Sequence, residues 1–245
     1  LIAVGSDGLW RSADDGKTWS RGPAAPGPVL TLTANPSAGE GLFAGGNGFL
    51  GQSEDAGLNW RWITPTPANL DFRALGFDPR SERLVAYAGQ AGLIASQDGG
   101  QNWQRVARDV PGSVASFASY ISTITMAGMN MPPGPILFAA LPGIGVVASA
   151  NGGQHWQDAS GSVNLTLPTT QIGSLATDGR VLYVATDQGV YASNDDGRGW
   201  FSTNRNFKLP LAVVGATAGQ KGLVVAITRD GQVFVSRDAG SSWRG

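Results

Sequence analysis

The 245-residue chain contains no cysteine and a single histidine, His155. Without cysteine there is no disulfide framework, thiolate zinc site, iron–sulfur cluster or cysteine nucleophile, and one imidazole excludes a multi-histidine metal centre. Charge is scarce as well. Charged residues make up 14% of the chain, against a usual ~25%, and the net charge is −1. With 3 lysines among its 17 basic residues, the chain lacks the electrostatic footprint of a nucleic-acid-binding domain. Long apolar runs are missing too. The most apolar stretch, residues 135–150, is interrupted by Pro142, Gly143 and Gly145 and is too short to cross ~30 Å of hydrocarbon. No direct membrane span, no metal and no cofactor is therefore expected. The opening Leu1-Ile2-Ala3-Val4, with neither initiator methionine nor basic leader, reads as a mature or trimmed N-terminus.

What is present in excess is glycine, 36 residues, and tryptophan, 8 residues, within a chain that is 42% hydrophobic and so not disordered by composition. Both excesses trace to one repeat. Ser12-Ala13-Asp14-Asp15-Gly16-Lys17-Thr18-Trp19 recurs as Ser53-Glu54-Asp55-Ala56-Gly57-Leu58-Asn59-Trp60 and as Ser96-Gln97-Asp98-Gly99-Gly100-Gln101-Asn102-Trp103. It returns as Ser149-Ala150-Asn151-Gly152-Gly153-Gln154-His155-Trp156 and as Ser193-Asn194-Asp195-Asp196-Gly197-Arg198-Gly199-Trp200. The sixth copy is Ser236-Arg237-Asp238-Ala239-Gly240-Ser241-Ser242-Trp243, and the serine-to-serine steps are 41, 43, 53, 44 and 43 residues.

The pattern S-x-D-x-G-x-x-W has a physical reading as a hairpin turn. The aspartate accepts hydrogen bonds from backbone N–H groups of its own turn, and the glycine two residues on supplies a positive φ at little steric cost. The tryptophan opens the next strand and buries a large ring against a neighbouring sheet. Asn151 keeps the turn-forming group without its charge, so the position is geometric rather than electrostatic. Between the turns lie four short strands per ~43 residues, as in 29–33, 41–45, 49–52 and 60–63, separated by Gly, Pro and Asp. That is the spacing of a propeller blade.

These six turns resemble those of the Asp-box (BNR) repeat family, and the resemblance covers essentially the whole chain. It implies an all-β fold, a β-propeller of six four-stranded blades with an incomplete first blade, the alternative being seven blades with missing flanks. Residues 1–245 are expected to form one domain, its blades running over about 1–22, 29–65, 72–109, 112–160, 170–205 and 209–245. The family mixes sialidases, xyloglucan-degrading hydrolases, sortilin-type receptors and assembly factors, so fold alone does not give function. The resemblance further implies an extracellular or periplasmic location.

It also implies that ligands meet the face opposite the repeated turns. Asp14, Asp55, Asp98, Asn151, Asp195 and Asp238 are accordingly expected to be structural. On the candidate face the tight turns carry Asp7, Asn47, Gln90, Asp187, Arg229 and Asp230, and the blade-to-blade loops carry Asp71, Arg73, Arg108 and Asp109. The extra length of the fourth blade brings Met126, Met129 and Met131 together, an adaptable apolar contact surface in Met129 and Met131 above all. The sialidase Arg-Ile-Pro signature is absent, and glutamate occurs only as Glu40, Glu54 and Glu82 in turns of the other face. No catalytic residue is assigned. A two-carboxylate glycosidase needs acids about 5–9 Å apart, for which Asp71, Asp187 and Asp230 are the available residues. Trp10 is read as core, and Trp62 as covering a blade edge or stacking on a sugar. The Asn164-Leu165-Thr166 triplet matches a glycosylation sequon, relevant in a eukaryotic secretory pathway. The reading that follows is a non-catalytic scaffold binding a protein partner or larger complex, with carbohydrate as the other ligand class and a glycoside hydrolase as the alternative.

Overall fold

Every copy of the repeated turn builds the same hydrogen-bonded knot. In the first, Ser12 Oγ donates to Asp14 Oδ1 at 2.8 Å and accepts from the Gly16 N–H at 2.7 Å. Asp14 Oδ1 also accepts the Thr18 N–H at 2.9 Å, and Oδ2 accepts the Thr18 hydroxyl at 2.6 Å. The backbone carries two successive left-handed residues, not one. Asp15, Ala56, Gly99, Gly152, Asp196 and Ala239 have φ between 53° and 70°, and the repeat glycine after each has φ between 79° and 89°. In the first three copies the tryptophan indole N–H donates back to the glycine carbonyl, as from Trp19 to Gly16 at 3.1 Å and Trp103 to Gly100 at 2.8 Å, whereas Trp200 donates to the Ala159 carbonyl at 2.8 Å. These turns end one strand and launch the next.

The structure is a computed structural model that describes all residues except 6, 36–38, 40, 79–80, 108–110, 123–133, 163 and 217–221. The chain divides into two compact units, Leu1–Val110 and Pro111–Gly245. The first holds three antiparallel meanders: β1 (Ile2–Gly5), β2 (Gly8–Arg11) and β3 (Ser20–Arg21); β4 (Val29–Asn35), β5 (Gly41–Gly46), β6 (Leu50–Ser53) and β7 (Arg61–Ile63); and β8 (Ala74–Asp78), β9 (Arg83–Tyr87), β10 (Leu93–Ser96) and β11 (Gln104–Ala107). The second unit holds β12 (Ser116–Ser122), β13 (Gly134–Leu141), β14 (Gly145–Ser149) and β15 (Gln157–Asp158); β16 (Ile172–Thr177), β17 (Leu182–Thr186), β18 (Gly189–Ser193) and β19 (Phe201–Ser202); and β20 (Leu211–Ala216), β21 (Val224–Thr228) and β22 (Val233–Ser236). The fold is of the β-propeller class, all-β with six blades, three in each unit. The first and last blades have three strands each, the last extended by a bridge from Val235 to Arg244. Outside the strands, Gly89–Ala91 form a 3-10 turn, and among the described residues no helix is long and apolar enough to cross a membrane.

The core lies between consecutive blades. In the first unit Leu9 of β2 packs with Val29, Ala44 and Phe49 of the next blade, and Phe43 and Leu50 pack with Leu75, Phe77 and Trp103 of the one after. In the second unit Tyr120 and Phe138 pack with Leu175, Val184 and Trp200, while Tyr183 and Val190 pack with Leu211 and Val214. Leu50, Phe72, Phe138, Leu182 and Leu211 have no solvent exposure, and the middle strands β5, β13 and β17 are buried along most of their length, so strict alternation is lost there. A polar stitch accompanies this packing. Hydroxyls on inner strands accept N–H bonds from the next blade's inner strand: Thr31 from Leu75 at 2.9 Å, Ser116 from Leu175 at 2.7 Å and Ser174 from Val214 at 2.8 Å.

Candidate functional site

In the first unit, the end of the blades away from the repeated turns gathers several of the residues named from sequence. The tight turn between β5 and β6 places Asn47 in a backbone bridge with Asp71, reinforced by the Gly48 N–H donating to the Leu70 carbonyl at 2.9 Å. Arg73 Nε and Nη2 both donate to Asp71 Oδ2, at 2.7 and 2.6 Å. The other carboxylate oxygen, Asp71 Oδ1, is buried without a hydrogen-bond partner. The Gly89–Ala91 turn carrying Gln90 lies alongside, so close that a methyl on Gly89 would stand 3.5 Å from Asp71 Oδ2. Gln90 itself is exposed. Asn47, Asp71, Arg73 and the Gln90 turn thus form one polar cluster over the second and third blades. Its guanidinium remains accessible, with the Arg73 side chain 57% exposed.

Asp7, in the β1–β2 turn, has a separate task. Its Oδ1 accepts the Trp10 indole N–H at 2.9 Å and its carbonyl accepts Arg21 Nη2 at 2.7 Å. Trp10 is half-buried rather than core, because the Asp7 carboxylate draws its indole N–H to the turn.

In the second unit Asp187 and Arg229 occupy the corresponding turns. The Asp187 N–H donates to the Gln171 carbonyl at 3.1 Å, and Asp187 Oδ1 is buried without a partner. Arg229 is anchored by its N–H to the Pro210 carbonyl at 3.1 Å, and its side chain is exposed. Asp230 is tied into its own turn, accepting from the Thr228 hydroxyl and from Gln232 Nε2 at 3.0 Å. The Thr228 hydrogen bond holds the Asp230 carboxyl below its usual range. Met129, Met131, Met126, Arg108, Asp109 and Glu40 lie outside the described residues.

Four of the repeated-turn carboxylates, Asp14, Asp55, Asp98 and Asp238, are held as anions by their own hydrogen bonds. The Thr18 hydroxyl, then its N–H, lowers Asp14 to about 2. The Asn102 N–H does the same for Asp98, and the Ser242 hydroxyl for Asp238, each also to about 2. Asp55 is lowered chiefly by the Asn59 N–H. In the fourth copy the Asn151 carboxamide oxygen accepts the His155 N–H at 2.9 Å, and His155 is exposed. Among the described residues no group of three or more His, Asp or Glu is arranged to hold a metal ion. Sequence reasoning missed Asp196, a carboxylate only 1% exposed that accepts hydrogen bonds from Tyr120 and Ser122. Its position in the repeat is filled by Asp, Ala or Gly, so nothing in the pattern marks it.

No family model matches the sequence, and no curated protein matches it. Among solved structures, the GH74 enzyme of Niastella koreensis superposes with a TM-score of 0.64 at 16% identity, over 98% of this chain and 42% of its own. The GH74 xyloglucanase from Xanthomonas campestris gives 0.59 at 17% identity, over 99% of this chain and 43% of its own. A structure described as YCF48 bound to D1 peptide gives 0.55 at 14% identity, over 89% of this chain and 67% of its own. The chain spans less than half the length of these GH74 enzymes. At such identities the likeness concerns the propeller fold alone.

Proposed function

We propose that the chain is a non-catalytic propeller domain of the Asp-box type that binds a protein partner or helps assemble a larger complex. The Asp71–Arg73 pair carries this reading. Its carboxylate is committed to a guanidinium at 2.6 Å, while the guanidinium keeps an accessible surface for a partner's acceptor groups. A glycosidase acid needs the opposite, a carboxyl held protonated by an apolar or anionic neighbourhood. Asp230 is likewise lowered rather than raised. YCF48, described as bound to a peptide, is a propeller of the same fold and lends support by analogy. A location outside the cytoplasm rests on the Asp-box resemblance.

Cross-linking and mass spectrometry on the full chain in its source organism test the proposal. A partner should cross-link around residues 47–73, and Arg73→Glu should abolish that cross-link while leaving the melting temperature within a few degrees of the parent. Xyloglucan hydrolysis by the purified chain, lost in Asp71→Asn or Asp187→Asn, would overturn it. That second reading, a glycoside hydrolase, is favoured by the buried, unpartnered oxygens of Asp71 and Asp187.

A further inference from the structure

The second blade departs from its neighbours at one position. Two residues after the repeat tryptophan stand Arg21 in the first blade and Arg105 in the third. Both fold back over their own blade's tight turn and cap a carbonyl there, Arg21 Nη2 that of Asp7 at 2.7 Å and Arg105 Nε that of Ala91 at 3.2 Å. The second blade has Trp62 instead. Its indole N–H reaches sideways to the Ala24 carbonyl at 3.1 Å, in the loop preceding the blade. The ring lies over Gly51, where a methyl would come within 2.2 Å of it. It stacks on Trp60 with centroids 5.4 Å apart and planes 12° apart, and meets Phe49 edge-on at 5.5 Å.

The turn that an arginine would have covered is left open. A cleft of about 280 Å³ results, bounded by Pro26, the 47–49 turn and the 62–64 segment. None of its lining residues is charged. Its wall is aromatic at Trp62, and its rim carries the Asn47 carboxamide and the Thr64 hydroxyl, both exposed and neither bonded to another described residue. This volume falls just below the ~300–1,000 Å³ of sites for drug-sized ligands, so it suits one ring rather than a folded chain. An aromatic wall selects a ligand with an apolar face, the amide and hydroxyl select one with hydroxyl groups, and the lack of charge selects a neutral one.

We propose that this cleft is a binding subsite for a single neutral sugar ring, stacked against the Trp62 wall and hydrogen-bonded by Asn47 and Thr64. The site borders the polar cluster through Asn47, does not require the Asp71–Arg73 ion pair and involves no catalysis.

The test is titration of the full chain with cellotetraose, maltotetraose and chitotetraose, followed by tryptophan fluorescence and calorimetry, with a proline-rich decapeptide as the competing ligand class. At least one saccharide should shift the emission and bind, and Asn47→Ala and Trp62→Ala should each weaken it at least tenfold. Trp62→Arg, which restores the neighbours' arrangement, should remove binding while keeping the circular dichroism and melting curve of a folded propeller. Arg73→Glu should leave saccharide binding intact, which separates this site from the Asp71–Arg73 pair on which the partner reading rests. Absence of binding by all three saccharides, binding unchanged in Trp62→Arg, or binding of the decapeptide alone would overturn the assignment.

Discussion

The Tyr120 hydroxyl donates a hydrogen bond to Oδ1 of Asp196, 76 residues later in the chain. Ser122 Oγ donates to the other oxygen of the same carboxylate at 2.6 Å. Two side chains of β12 therefore hold a carboxylate from the repeated turn of the following blade, where it is only 1% exposed. Burial, and then this hydrogen bond to Asp196, push the Tyr120 phenol well above its ordinary range, so it remains a donor at all physiological pH.

Removing one donor leaves the buried carboxylate under-satisfied. Tyr120→Phe is expected to lower the unfolding free energy by about 1.5–3 kcal/mol, the range for hydrogen bonds to charged groups. Ser122→Ala should act in the same direction. Urea denaturation of both variants and of Asp196→Ala measures this, and in a double-mutant cycle the Tyr120 and Asp196 losses should fall well short of additive.

The repeated turns carry an acid-side pH dependence. Asp14, Asp98 and Asp238 titrate near 2 when folded, against about 3.9 in an unfolded chain. Between these values the unfolded state binds more protons, so stability is fully present above about pH 4 and falls as pH drops towards 2. The Asn151 copy contributes nothing to this slope. Denaturation midpoints from pH 6 down to pH 2 should show the drop, and Asp98→Asn should shrink it.

Ala239 sits at φ 59° in an exposed turn, where an L-residue is strained by about 1–2 kcal/mol. Glycine relieves that strain and costs about 0.5–1 kcal/mol in backbone entropy. Ala239→Gly is therefore expected to stabilise by roughly 0.5–1 kcal/mol, visible as a small rise in melting temperature. Gly99 and Gly152 already fill this position in two other copies.

Ser174 is only 9% exposed, and its hydroxyl is the partner of the Val214 N–H on the neighbouring inner strand. Ser174→Ala strands that N–H in the core and should cost about 1–3 kcal/mol. Hydrogen exchange at the Val214 amide should accelerate in step, reporting the lost contact directly.

What the sequence determined by itself was everything set by local chain geometry. Six serines, their aspartate or asparagine partners and their glycines repeat at blade spacing, and each set satisfies its own turn within eight residues, so turns, strands and blade number were legible. Even there, the second left-handed residue of each turn escaped notice, because Asp15, Ala56 and Gly99 share a conformation but no side-chain chemistry. The candidate site was legible only as a set of turn positions. That Asp71 is neutralised by Arg73 two residues away, that Trp62 leaves the Asn47 turn uncovered, and that Tyr120 and Ser122 hold Asp196 were decided by tertiary structure. Each depends on groups brought together across strands or blades, and a repeat pattern specifies the spacing of strands but not which side chains meet when their faces pack.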